Sequence, residues 1–177
     1  MDTAVLDKEK RLQLVGEDEK TGLKVYLFRP TLFRALYKDL YPSWFARRIR
    51  FAYEYLHKGH YSVYYAALGN TIIADSVIAP GGRRLTCTSP SDGVTGPTFV
   101  LEEYRNRGYN KAMKKIIFAH CGFKDIYCWV QKDNLPSRAS LEKYGFVPCG
   151  EVRDKGLLKK QVPCENGTAI VYRYTCN

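Results

Sequence analysis

The sequence predicts an α/β (α+β) fold: a mixed β-sheet flanked by helices, in a single domain over residues 1–177. Three observations predict it. Residues 61–68 and 71–79 are runs rich in β-branched and aromatic residues, separated by Gly69-Asn70, two residues suited to the positive φ of a tight hairpin turn. After that hairpin, strand and helix patterns alternate, which implies some parallel pairing beside the antiparallel strands. Finally, 177 residues with 45% hydrophobic and 14% aromatic content describe one packed domain rather than a disordered chain.

Each element has its own signal. Residues 1–22 are charged and their structure is left open, although 11–15 alternate as a strand does. Residues 22–28 alternate more clearly and form the next strand, with 16–21 as a hairpin loop and Pro30 as its end. Helices follow over 31–40 and 44–56. Ser43 suits the N-cap of the second, and Phe45, Ile49, Ala52 and Leu56 share one of its faces, leaving Arg47, Arg48 and Arg50 to solvent. The hairpin comes next. Pro80-Gly81-Gly82 ends it and opens a loop over 80–93, before an apolar strand over 94–101. A helix over 110–121 sets Met113, Ile116, Ile117 and His120 at core spacing and stops at Gly122. A strand over 125–130, a helix over 136–143 opened by Asn134, a strand restarting at Gly145-Phe146-Val147 and a last strand over 169–174 complete the pattern.

Composition limits the function. With 28 Lys+Arg against 18 Asp+Glu the net charge is +10, which suits an anionic partner but does not choose among nucleic acid, a membrane surface and a phosphorylated small molecule. No basic–aromatic RNA signature is present, so nucleic acid is not favoured. No window approaches the roughly 18 uncharged apolar residues of a membrane span. The N-terminus lacks the apolar core of a signal peptide, so a cytoplasmic protein is expected. The six cysteines include no Cys-x-x-Cys pair, and His57, His60 and His120 do not cluster with them. No metal site is expected, and the cysteines read as reduced thiols, mostly small buried apolar groups. Asn166-Gly167-Thr168 reads as a turn.

Chemistry concentrates in Phe99-Val100-Leu101-Glu102-Glu103-Tyr104-Arg105-Asn106-Arg107-Gly108-Tyr109-Asn110-Lys111, where a strand ends, a glycine-containing turn follows and a helix begins. The first N–H groups of a helix have no partner within it and carry partial positive charge, so a phosphate placed there accepts several hydrogen bonds at once. Gly108 lets the backbone approach an anion, and Arg105, Arg107 and Lys111 add full charges. The segment is neither a Walker loop nor Gly-x-Gly-x-x-Gly, and a strand–turn–helix with one glycine usually binds nothing.

A second segment, Asn134-Leu135-Pro136-Ser137-Arg138-Ala139-Ser140-Leu141-Glu142-Lys143-Tyr144-Gly145-Phe146, sharpens the signal. Together the two resemble the GNAT superfamily of acyl-CoA-dependent N-acetyltransferases over about residues 60–152. Arg105, Gly108, Asn134, Ser137, Glu142, Lys143, Gly145 and Phe146 stand in the family's motif places. The resemblance implies a strongly twisted, mixed sheet and acetyl-CoA as cosubstrate, without a metal. Phe99, Val100 and Leu101 would run beside the pantetheine arm. The turn of Arg105 and Asn106, with the N–H groups of Arg107, Gly108, Tyr109, Asn110 and Lys111, would hold the diphosphate. Asn134, Ser137 and the helix after them would approach the arm and thioester. Two positions depart from the pattern: Asn110 replaces the last small residue, and Leu141 stands where the family often has a proton-donating tyrosine, with Tyr144 three residues on as a substitute or a packing aromatic.

The reaction so implied is direct attack of a primary amine, of a small molecule, on the thioester. A backbone N–H near Val100 would stabilise the oxyanion, and Asp75, Asp92 or His60 would be the base. Glu102 and Glu103 lie too far along the strand, and Cys87 and Cys128 read as packing. Alternatives are acetylation of a protein or peptide amine, or a non-catalytic module binding CoA or nucleic acid. A homodimer is compatible with the sequence.

Overall fold

The computed structural model describes residues 12–31, 33–38, 40, 61–156 and 159–176. In chain order these form β1 (Leu12–Asp18), β2 (Leu23–Phe28), β3 (Ser62–Leu68), β4 (Thr71–Pro80), β5 (Gly93–Thr95), β6 (Phe99–Val100), a 3-10 turn (Glu102–Tyr104), α1 (Tyr109–His120), β7 (Asp125–Gln131), α2 (Leu135–Tyr144), β8 (Val147–Lys155), β9 (Lys160–Pro163) and β10 (Ala169–Thr175). The chain divides into two compact units, one from Met1–Ala79 with Gly96–Cys121, the other from Pro80–Thr95 with Gly122–Asn177.

In the first unit β1, β2, β3 and β4 pair in sequence order, all antiparallel, and β6 adds to β4 in the register Ala74↔Val100 and Asp75↔Phe99. The hairpin over Gly69-Asn70 is where the sequence puts it. β3 and β4 are buried on both faces, as their near-continuous apolar runs require. α1 packs on β1 and β2, burying Met113, Ile117 and Phe118. Ile116 is half-buried and His120 is exposed, meeting the Tyr64 ring edge-on at 6.4 Å. The fourth buried position of α1 is Lys114, which the apolar spacing did not mark.

Two expectations for this unit need correction. β1 runs to Asp18, so the loop is shorter than 16–21. Asp18 closes the turn itself: its carbonyl accepts from Thr21 N at 3.1 Å and Gly22 N at 2.8 Å, and its carboxylate accepts from Thr21 Oγ1 at 2.6 Å. No helix forms among the described residues of 31–40. Thr31 and Arg34 bridge to one another instead, and the Tyr37 and Lys38 amides donate to the Tyr65 hydroxyl at 3.1 and 3.2 Å. That hydroxyl in turn donates to Lys38 O at 2.7 Å. A buried side chain thus takes the amides that a helix would send to its own carbonyls. Tyr65→Phe is expected to leave these groups unsatisfied, at a cost of about 2 kcal/mol. The melting temperature should then fall by roughly 4–8 °C, which calorimetry checks. The helix expected over 44–56, with Ser43 and its arginines, lies outside the described residues.

In the second unit β5 pairs with β7 in parallel, the pairing that the strand–helix alternation implied. β7–β10, β10–β8 and β8–β9 are antiparallel. Leu85, Val94, Val152, Ala169 and Val171 form the core of one face. On the other, α2 is tied to β10 through Tyr172, whose hydroxyl donates to Glu142 Oε1 at 2.9 Å and accepts from Arg138 Nε at 3.2 Å. The strand expected over 94–101 is two strands, β5 and β6. Pro97 between them has no N–H for a ladder, and Gly96 N donates to Val77 O at 2.7 Å. β9 was not expected; it forms by antiparallel pairing with β8, from Val152↔Pro163 to Lys155↔Lys160, and Gln161 also bridges to the loop, its N–H donating to Arg84 O (2.6 Å) and its carbonyl accepting from Thr86 N (3.0 Å).

Candidate anion site at a helix mouth

The chain enters α1 through two left-handed residues, Asn106 (φ 61°) and Gly108 (φ 82°), on either side of Arg107. Asparagine and glycine are the residues that adopt this conformation at least cost. The first bond of the helix runs from Ala112 N to Gly108 O at 3.1 Å. The amides of Tyr109, Asn110 and Lys111 therefore have no acceptor in the helix. No side chain caps them, and the first turn holds no acid. α2 begins differently: Asn134 Oδ1 accepts from Ser137 N at 3.2 Å. One helix is capped by its own chain and the other is open. A Cβ built on Gly108 meets nothing within 4 Å, so the turn that leads into these amides is open on that side among the described residues.

The charges stand around that space. Arg107 and Lys111 are exposed. Arg105 folds back: its Nε donates to Val100 O at 3.0 Å and its guanidinium lies 5.6 Å from the Phe99 ring centre, leaving the terminal nitrogens to an external acceptor. Tyr104 and Tyr109 pack ring to ring at 6.2 Å. Asn110 Oδ1 is buried without a donor.

β6 presents the neighbouring feature. Leu101 N donates to Ile73 O at 2.9 Å, so in the alternating antiparallel ladder Val100 is the position whose N–H and C=O turn away from β4. The carbonyl takes Arg105, and the N–H faces outward. Asp75, fully buried, lies opposite both Phe99 and Tyr65, on the face of β4 away from Tyr64 and α1. Burial, with Cys121 nearby, pushes the Tyr64 phenol up to about 12 against the pull of Arg29, so it stays neutral.

The remaining candidates belong to the second unit. Asp92 holds a loop: its carboxylate accepts from Ser89 N at 2.7 Å and its carbonyl from Gly81 N at 2.8 Å. Tyr144 packs between Phe146 (5.9 Å) and Tyr174 (5.3 Å), and burial, with Tyr174 and Cys176, raises its pKa. Leu141 is buried under α2. Asn134 and Ser137 start that helix, with the Asn134 Nδ2 group not engaged in the cap. His60 lies outside the described residues.

The cysteines correct an expectation, since Cys128 is buried but Cys87 and Cys149 are exposed and Cys121, Cys164 and Cys176 half-buried. Cys87, Cys149 and Cys164 open onto a cavity of about 610 Å³ with Tyr127, Glu151 and Arg173. Partial burial raises the Cys87 and Cys149 thiols, which keeps them protonated. Among the described residues no group of three His, Cys, Asp or Glu could hold a metal, and no helix is long and apolar enough to cross a membrane.

Sequence reading missed the Arg138–Tyr172–Glu142 network and a second carboxylate anchor. Lys132 Nζ lies 2.7 Å from Glu151 Oε1, and Gly167 N donates to Glu151 Oε2 at 2.8 Å. Only the fold brings these distant residues together. Lys132 first, and then the Gly167 amide, hold the Glu151 carboxyl below its ordinary range. A carboxyl with a depressed folded-state pKa adds stability above the unfolded value and loses it as pH falls through the folded one. Glu151→Gln is expected to lower the melting temperature at pH 7, with the difference from wild type shrinking as pH falls below the usual glutamate range. Melting curves from pH 7 to 3 check this.

Known structures share the fold. An uncharacterized protein from Bacillus halodurans matches with a TM-score of 0.60 at 12% identity, over 95% of this chain and 92% of that one. A putative acetyltransferase of the GNAT family from Desulfovibrio desulfuricans matches with a TM-score of 0.58 at 13% identity, over 86% and 99%. The ribosomal-protein-S18-alanine N-acetyltransferase from Escherichia coli matches with 0.53 at 11% identity, over 86% and 94%. No curated protein matches in sequence. The sequence profile of the acetyltransferase (GNAT) family, by contrast, matches residues 30–146, more than half of the chain. With the strand, the open helix mouth and the left-handed glycine in that span, the chain belongs to the acetyltransferase (GNAT) family.

Proposed function

We propose that the protein transfers an acetyl group from acetyl-CoA to a primary amine of a small molecule, by direct attack and without a metal. The observation that carries this is the uncapped, acid-free start of α1 facing open space next to β6. Three free amides and the charges of Arg107, Lys111 and the terminal nitrogens of Arg105 fit a diphosphate. Phe99, Val100 and Leu101 supply the adjoining strand for the pantetheine amides, and Asn106, Gly108, Tyr109 and Asn110 shape the turn. Asn134 and Ser137, at the start of α2, are kept as cofactor residues on the family's motif alone.

Bound acetyl-CoA supplies a thioester carbonyl. The Val100 N–H, directed away from β4, is suited to donate to that carbonyl as charge develops on its oxygen. A primary ammonium must lose a proton before it attacks, and Asp75, on the face of β4 away from α1, is assigned as the base. Asp92 is taken up by its loop contacts. Tyr144, with its raised pKa, is a poor proton donor to a thiolate, and a thiol of pKa about 8.5 leaves without one.

Thiol release from acetyl-CoA across a panel of primary amines tests the function; no release above the amine-free rate would reject it. Asp75→Asn is expected to lower kcat by about 100-fold at neutral pH, with cofactor affinity retained. A variant within three-fold of wild type would remove Asp75 from the mechanism.

A further inference from the structure

Asn166-Gly167 is the one Asn-Gly pair in the chain. A glycine amide has no side chain beside it, so it can approach and attack the carboxamide of the residue before it. The N–Cγ bond forms, the Cγ–Nδ2 bond breaks, and the Gly167 amide proton leaves with Nδ2 as ammonia. Water then opens the cyclic imide at either carbonyl, giving aspartate or isoaspartate, so that one water is consumed and one ammonia released. Asn166 is exposed, with a φ of 56°, and its side chain has no hydrogen-bond partner among the described residues. The electrophile of this reaction is free.

The nucleophile is held. Gly167 N donates to Glu151 Oε2 at 2.8 Å, and Lys132 Nζ fixes the other carboxylate oxygen at 2.7 Å. The amide must shed its proton to attack, and the anion so formed would face a like charge on Glu151. The bond to Glu151 must also break before the nitrogen can turn toward Cγ. The backbone is pinned on both sides: a Cβ on Gly167 would stand 2.5 Å from Val152 O, and Thr168 O accepts from Lys132 N at 3.1 Å. We propose that Asn166 is a modification site, open to deamidation through Gly167 and held back in the folded chain by Glu151. The restraint acts on the attacking amide, so loss of the Glu151 contact, rather than exposure of Asn166, releases the reaction.

The test follows deamidation of the folded full chain at mildly alkaline pH, well below its melting temperature, by mass spectrometry of the peptide that carries residue 166. The same chain unfolded in urea gives the unrestrained rate. Folded wild type is expected to react about ten-fold more slowly than the unfolded chain, and Glu151→Ala about ten-fold faster than folded wild type, the scale of one hydrogen bond to a charged group. Glu151→Gln keeps an acceptor without the charge and should fall between the two. Tyr65→Phe, which is expected to weaken the first unit, should react as wild type does. Equal rates for folded and unfolded wild type, or a Glu151→Ala rate equal to that of wild type, would overturn the inference. So would a Tyr65→Phe rate matching that of Glu151→Ala, since unfolding of the whole chain would then set the rate.

Discussion

Replacing Gly108 by glutamate is expected to erase the stabilisation that acetyl-CoA gives the protein. At 100 times its dissociation constant a ligand adds about 2.7 kcal/mol, which for a chain of this size raises the melting temperature by roughly 5–10 °C. Gly108 has a φ of 82° and open space beyond it, so a longer side chain enters the volume in front of the Tyr109, Asn110 and Lys111 amides. A carboxylate there repels phosphate and caps those amides itself. We expect affinity to fall by about 100-fold, the scale of losing two or more charge-assisted bonds. Gly108→Ala is the control. It carries the same left-handed strain, about 1–2 kcal/mol, and lowers the starting melting temperature, but it adds no charge and should keep most of the ligand-induced shift. A Gly108→Glu protein that shifted as wild type does would place the nucleotide elsewhere.

Gly167→Ala should produce the largest loss of stability. A Cβ at this buried glycine would lie 2.5 Å from Val152 O, 2.7 Å from Val152 N and 2.8 Å from Val152 C. These are main-chain atoms of β8 and cannot turn aside as a side chain would. The same residue's amide holds Glu151 Oε2, so displacing it also loosens the Lys132–Glu151 pair. We expect a loss of about 3 kcal/mol and a fall in melting temperature of roughly 6–12 °C. A shift under 2 °C would mean that β8 yields at Val152. The turn reading of Asn166-Gly167-Thr168 agrees with Asn166's positive φ of 56°, but no turn rule reveals why alanine should fail there.

That contrast marks what was legible. The hairpin at Gly69-Asn70, the α1 and α2 spans, the Asn134 cap and the glycine turn at Gly108 were written locally, in spacing and in residues with particular φ preferences. The open helix mouth was legible for the same reason, because a missing cap and missing acids are features of a few consecutive residues. The short turn at Asp18 was misjudged because its side chain closes it. That the described residues of 31–40 form no helix could not be foreseen, since the Tyr65 hydroxyl that takes the Tyr37 and Lys38 amides comes from another segment.

By itself the sequence determined the mixed α/β pattern, the family, and the short stretch from Phe99 to Lys111 on which the proposed chemistry rests. Only the tertiary structure decided that Val100 turns its N–H away from β4, that Asp75 is buried opposite Phe99, that Tyr144 is packed among aromatics, and that β9 exists at all. The physical reason is range. Turns, caps and helix ends are set by neighbours within about four residues, whereas burial, ladder register and shared hydrogen bonds depend on which distant segments the core brings into contact.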